Sequence, residues 1–136
     1  MANELARDDG IHVTLNFGVA NKEPNTTSNL ALQQGYTGFL VPTGYNFHAM
    51  YLGGSTGANI SAGSGVFNVT DNGTALANGP TVTLNATVEQ SHDVERIGTQ
   101  PIAAGHFVGV NFVADANFAP NTADLDAVLV GVLLPA

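Results

Sequence analysis

Ile11-His12-Val13-Thr14-Leu15-Asn16-Phe17 sets four apolar side chains against three polar ones in strict alternation. Successive side chains of a strand leave opposite faces of a sheet, so this stretch predicts a strand with one buried face. Thr81 to Val88 repeats the pattern, with Val82, Leu84, Ala86 and Val88 against Thr81, Thr83, Asn85 and Thr87. Between and beyond these rows the chain reads as short apolar runs bounded by turn residues. Phe39-Leu40-Val41 ends at Pro42 and the Thr43-Gly44 turn. Phe47 to Leu52 stops at Gly53-Gly54, and the Gly- and Ser/Thr-rich residues up to Gly65 predict a loop. Val66-Phe67-Asn68-Val69 leads into Asp71-Asn72-Gly73, with Leu76 on the return. Asn-Gly between apolar runs is a strong hairpin signal, because a type I′ turn needs positive φ at both central residues.

Asn78-Gly79-Pro80 is a further turn. Ile97 to Ala103 reads as a strand interrupted near Pro101, and Ala104-Gly105 turns. Phe107 to Val113 and Leu125 to Leu134 complete the set. Asn21 to Asn29 is polar, contains Pro24 and predicts a loop. No segment carries a sustained 3.6-residue repeat, and Val and Thr outnumber the helix formers. Short strands at this spacing predict an all-β sandwich or barrel. Residues 1–10 hold charged groups with little apolar pattern and are expected to form an N-terminal arm. Residues 11–136 are expected to form one domain.

The chain has 136 residues, 44% hydrophobic and only 10% charged, with no Cys and no Trp. Its polarity comes from 14 Asn and 13 Thr. Such a chain is too apolar for intrinsic disorder, and without Cys it has no disulfide scaffold and no thiolate zinc site. A formal charge of −8, with Arg7, Lys22 and Arg96 the only basic residues, argues against binding nucleic acid through phosphates. No apolar run is long enough for a membrane helix, and the first residues carry no secretory pattern. Five Asn-x-Ser/Thr triplets begin at Asn25, Asn59, Asn68, Asn72 and Asn85, as expected by chance in an Asn/Thr-rich chain.

The chemistry-bearing residues form no recognisable site. His12, His48, His92 and His106 lack the close His-x-His spacing that would set two ligands on one strand. Ser91-His92-Asp93 has the letters of a triad, but neighbours in sequence do not bring side-chain tips together, and His92 is expected in a loop. Glu89 with Glu95, and Asp124 with Asp126, are carboxyl pairs without a defined cleft. Asp115, Asn117, Asn121, Asp124 and Asp126 form an oxygen-rich stretch suited to calcium or, more simply, to capping turns. The aromatic residues include a conceivable sugar-stacking set, although alternation assigns most of them to the core. No enzymatic activity and no cofactor are expected.

Several stretches together resemble a known family. They are Gly38-Phe39-Leu40-Val41-Pro42 with Gly44, Phe47, His48 and Ala49; the Asp71-Asn72-Gly73-Thr74 hairpin; Pro80 to Leu84; Gln100 to Val110; and the final Leu125 to Leu134 strand. Over about residues 36–134 this order is similar to the jelly-roll domains of tailed-bacteriophage virions, found as head cement (decoration) proteins and as tail-fibre heads. Those domains are shaped like C1q and tumour-necrosis-factor heads. His106 stands where the family turn usually continues with Asp. The resemblance implies a single antiparallel jelly roll of about eight strands, a homotrimer and no enzyme. It implies a cement protein on the outer capsid surface, assembled in the host cytoplasm, that bridges copies of the major capsid protein. The alternative is the receptor-binding head of a fibre or spike, for a glycan or other cell-surface molecule. The short stretch ahead of the domain, without heptads, favours the cement role. The strand carrying Ile11, Val13, Leu15 and Phe17 is expected to reach a neighbouring protein by strand addition. Low surface charge suits a permanent interface.

Overall fold

In the Ile11 to Phe17 row the expected alternation is realised: Leu15 and Phe17 are buried, Val13 packs against the core, and His12, Thr14 and Asn16 are exposed. A computed structural model describes residues 10–22, 27–32, 38–57, 59–94, 100–119 and 123–136. The expected arm, apart from Gly10, lies outside these residues.

The described strands are β1 (Ile11–Lys22), β2 (Thr27–Asn29), β3 (Ala31–Leu32), β4 (Phe39–Leu40), β5 (Tyr45–Thr56), β6 (Ser64–Asp71), β7 (Thr74–Ala75), β8 (Thr81–Asn85), β9 (Gln90–Val94), β10 (Phe107–Ala114) and β11 (Ala123–Pro135). All pairings are antiparallel. One sheet, here sheet A, runs β3-β1-β11-β5-β9. In the other, sheet B, β10 pairs with β2 and β4 on one side and with β6 on the other, and β6 carries β7 and β8. The long strands therefore set β1-β11-β5-β9 against β2-β10-β6-β8, the eight-strand arrangement of a jelly roll.

Inner faces meet in one core built on Phe47, Phe67, Phe112, Phe118, Leu52, Leu84 and Leu129, all nearly inaccessible to solvent. Phe112 meets Phe67 edge-on at 4.7 Å and Phe118 at 5.5 Å, the arrangement aromatic quadrupoles favour. Each such buried side chain contributes about 1.5–3 kcal/mol relative to exposure. The Asp71-Asn72-Gly73 signal forms the expected tight turn, with φ of 50° at Asn72 and 87° at Gly73. The Asn72 side-chain oxygen accepts the Phe107 amide at 2.8 Å and ties this turn to β10.

Five local readings differ from the structure, the first at Thr81 to Val88, where β8 ends at Asn85 and Ala86 and Val88 lie exposed in the turn that follows. Gly53-Gly54 does not end a strand: β5 continues to Thr56. Gly54 faces inward, where a Cβ would lie 2.5 Å from the Phe67 ring, so the residue marks a close approach and not a turn. The polar stretch read as a loop contributes the end of β1 and all of β2, because polar side chains are acceptable wherever main-chain pairing is available. His92 lies on edge strand β9, not in a loop. In the expected Ile97 to Ala103 strand, the described residues pair only through the Phe47–Ile102 bridge; residues 97–99 lie outside the description.

Candidate interaction surface

From Ala127 onward β11 is apolar in both of its rows. Its inward row, Leu125, Ala127, Leu129 and Leu133, is buried in the core. Its outward row runs Asp124, Asp126, Val128, Val130, Val132 and Leu134; Val128 is 36% exposed, Val130 and Leu134 are half-buried, and Val132 is buried. A strand apolar on both faces is expected where both faces are covered, yet the far side of sheet A carries no further layer among the described residues.

Register places the neighbours of this valine row. His12 on β1 and His48 on β5 flank Val132; Thr14 and Tyr51 flank Val130; Asn16 and Gly53 flank Val128. A bulge in β5 opposite Val130 and Gly131 makes this possible. Phe47 and Ala49 before it, and Leu52 and Gly54 after it, all face the core, so Tyr51 points outward. Its ring stacks on His92 of β9 at 5.6 Å and 19°, and it lies over Gly53, where a Cβ would be 3.0 Å from the Tyr51 hydroxyl. At the sheet edge Val94, opposite Tyr51, is 64% exposed.

This face is apolar with uncharged polar edges. From the level of Asn16, Val128 and His92 to the Leu134 end, none of its described outward side chains is acidic. Burial holds the His48 imidazole below its ordinary value of 6.5, so it is neutral at pH 7. Of the described carboxylates, Glu89, Asp115, Asp124 and Asp126 lie at the opposite end of the sandwich, while Asp71 is on sheet B and Asp93 on edge strand β9 faces away from this surface. Glu89 accepts the Ile60 amide at 2.6 Å. Asp115 accepts the Ser64 amide and hydroxyl at 3.0 and 3.2 Å and the Asn117 amide at 3.0 Å. Asp124 and Asp126 lie at that end of β11.

Of the four residues expected to meet a neighbour, Leu15 and Phe17 are buried in the chain's own core and Val13 packs against it, while Ile11 is 48% exposed. The physical reason is that a period-two strand commits its apolar row to its own sandwich. What β1 offers a neighbour is its other row, His12, Thr14 and Asn16, and its edge. β3 pairs only with Phe17 and Gly18, leaving Ile11 to Asn16 without a second strand among the described residues. The sequence signal for the valine row was visible in Leu125 to Leu134, whose two apolar rows both exceed what one core needs.

The other candidates do not converge. His12 and His48 are separated by Val132 of β11, and His106 sits on the far sheet with its Nδ1 2.7 Å from Asp71 Oδ1. Among the described residues no three His, Asp or Glu side chains are grouped for a metal. Ser91 and Asp93 face away from His92, and Asp93 accepts the Thr81 amide at 3.0 Å, joining the edges of the two sheets.

No protein-family model matches the chain, and no curated protein matches it. Solved structures do. One is a chain of the acidic stable capsid structure of Helicobacter pylori bacteriophage KHP30, with a TM-score of 0.56 and 14% identity over 93% of this chain and 90% of that one. Another is a chain of the cyanophage Pam1 capsid asymmetric unit, with a TM-score of 0.53 and 13% identity over 93% of this chain and 87% of that one. At these identities the likeness is one of fold, and it extends over nearly the whole length of each chain.

Proposed function

We propose that this chain is a structural protein of a phage virion. It is a cement protein that sits as a trimer on the outer surface of the head and bridges neighbouring major capsid proteins. The observation that carries the reading is the acid-free stretch of the outer face of sheet A, from Val128 to Leu134, on a chain with a formal charge of −8. Like-charged copies repel, so a contact between them, or with a shell, is favoured where acids are absent and apolar side chains are concentrated. The fold likeness to capsid chains supports the same reading.

The mechanism is linkage and involves no catalysis. A protein that binds the assembled shell and not its dissociated subunits shifts the equilibrium toward the shell by mass action. The valine row supplies apolar area, and the open β1 edge supplies main-chain donors and acceptors for a strand from a neighbour. Electron microscopy of particles reconstituted with the purified protein tests the reading. The expected density is threefold and lies on the outer shell. Density at the distal end of a tail fibre, or no density on the shell, overturns it. Light scattering on the isolated protein supplies the stoichiometry, with three chains per oligomer expected.

A further inference from the structure

Across the molecule, on the outer face of sheet B, β10 presents Phe107, Gly109, Asn111 and Val113 in its outward row. Gly109 has no side chain, so the row is interrupted by a hollow. Thr70 of β6 lies directly across from Gly109, and Asn29 of β2 pairs with Asn111 beside it. The tight turn closes the end with Asn72 and Gly73. The result is an open groove of about 270 Å³ lined by Asn29, Thr70, Asn72, Gly73, Phe107 and Gly109.

Two features separate this groove from an ordinary dip. Phe107 is a phenyl ring 51% exposed at its rim, and its cross-strand partner Leu40 is 52% exposed. Every polar side chain in the lining is neutral: the Asn29 and Asn72 amides are exposed, Asn72 Oδ1 already accepts the Phe107 amide, and Thr70 is buried at the floor with 3% exposure. A flat apolar rim beside such groups matches a sugar ring, which has an apolar C–H face and an equator of hydroxyls. No cation lines the groove. The nearest titratable groups are Asp71, on the strand leading into the turn, and His106, which meets it. On a chain of −8 this disfavours anionic sugars.

We infer that the sheet B groove is a binding site for a neutral saccharide, with Phe107 as the stacking platform and the amides of Asn29 and Asn72 as the hydrogen-bonding wall above a floor of Thr70 and Gly109. The site is independent of the capsid reading and lies on the face opposite the valine row, so a virion protein docked through sheet A keeps it exposed.

The test is an amide-resolved NMR titration of the whole protein with lactose, maltotriose and N,N′-diacetylchitobiose, and with sialyllactose as the anionic counterpart. At least one neutral sugar is expected to bind at about millimolar Kd, shifting the amides of Asn29, Asn72, Gly73, Phe107 and Gly109. Sialyllactose is expected to bind more weakly than lactose or not at all. Phe107→Ala should weaken binding at least about tenfold, the loss of a stacking contact. Asn29→Ala, at an exposed position of the wall, should weaken it severalfold while leaving the remaining spectrum unchanged. The inference is overturned if none of the neutral sugars shifts these amides, if sialyllactose binds more tightly than lactose, or if both variants bind as the parent does.

Discussion

β11 and β10 each lie inside their sheet with strands on both sides, and each sends every second residue into the common core. Their outward rows differ. On β11 that row is Val128, Val130, Val132 and Leu134; on β10 it is Phe107, Gly109, Asn111 and Val113. The sheet B row joins its neighbours by side-chain hydrogen bonding, since the Asn68 side-chain amide donates to Asn111 Oδ1 at 3.1 Å. The same row also keeps apolar side chains at its ends, with Phe107 51% and Val113 41% exposed. The valine row gains nothing from water. In the proposed reading these faces take different partners, protein for sheet A and a small neutral sugar for the sheet B groove.

The sharpest way to break this comparison is a matched pair of charges. Val130→Asp places a carboxylate between Thr14 and Tyr51 at the centre of the sheet A face. If that face is buried in an assembly, an unpaired charge there costs about 3–5 kcal/mol, so shell binding or self-association should fall at least about 100-fold. Thr83→Asp, on the exposed outward row of β8, should leave association unchanged. Circular dichroism should show both variants folded. Equal effects of the two substitutions would remove the distinction between the faces.

A second experiment acts on what the faces share. Gly65 faces the core from β6, and a Cβ there would lie 2.0 Å from Cζ of Phe112. Phe112 is held by Phe67 and Phe118 and has no free direction to move. Gly65→Ala should therefore cost about 3 kcal/mol in urea unfolding. Both outer faces should lose their binding together, in proportion to the unfolded fraction. Loss at one face alone would mean that the sheets are less rigidly coupled than the single core implies.

How much of this was legible in the sequence depended on whether one residue carried one meaning. The alternation in Ile11 to Phe17 had one reading, and the structure follows it. Asn72-Gly73 demanded positive φ and has it. Gly54 had two readings, turn or close approach, and only the Phe67 ring from the opposite sheet decides between them. The sheet A face was half visible. The valines of β11 could be read as excess apolar residues, but their juxtaposition with His12, His48 and Tyr51 needs the strand order and the β5 bulge, which are non-local. The sheet B groove was hidden for the same reason, since its lining comes from three strands and a turn far apart in the chain.

The smallest expected effect concerns pH, and it acts on sheet A alone. Burial lowers the His48 pKa in the folded chain. Above the ordinary value of 6.5, folded and unfolded chains both carry it neutral, and it contributes no pH dependence. As pH falls below that value the unfolded chain takes up the proton first, so stability declines; the decline levels off once the folded imidazole also titrates. His48→Gln should flatten the fall in Tm between pH 7 and pH 5 without changing Tm at pH 8. Protonation also places charge beside Val132, opposite His12, so association through sheet A should weaken over the same window and weaken less in the variant. The sheet B groove has no histidine in its lining, and its saccharide affinity should not follow His48. A parallel decline at both faces, unchanged by His48→Gln, would assign the pH response to the whole fold and not to this face.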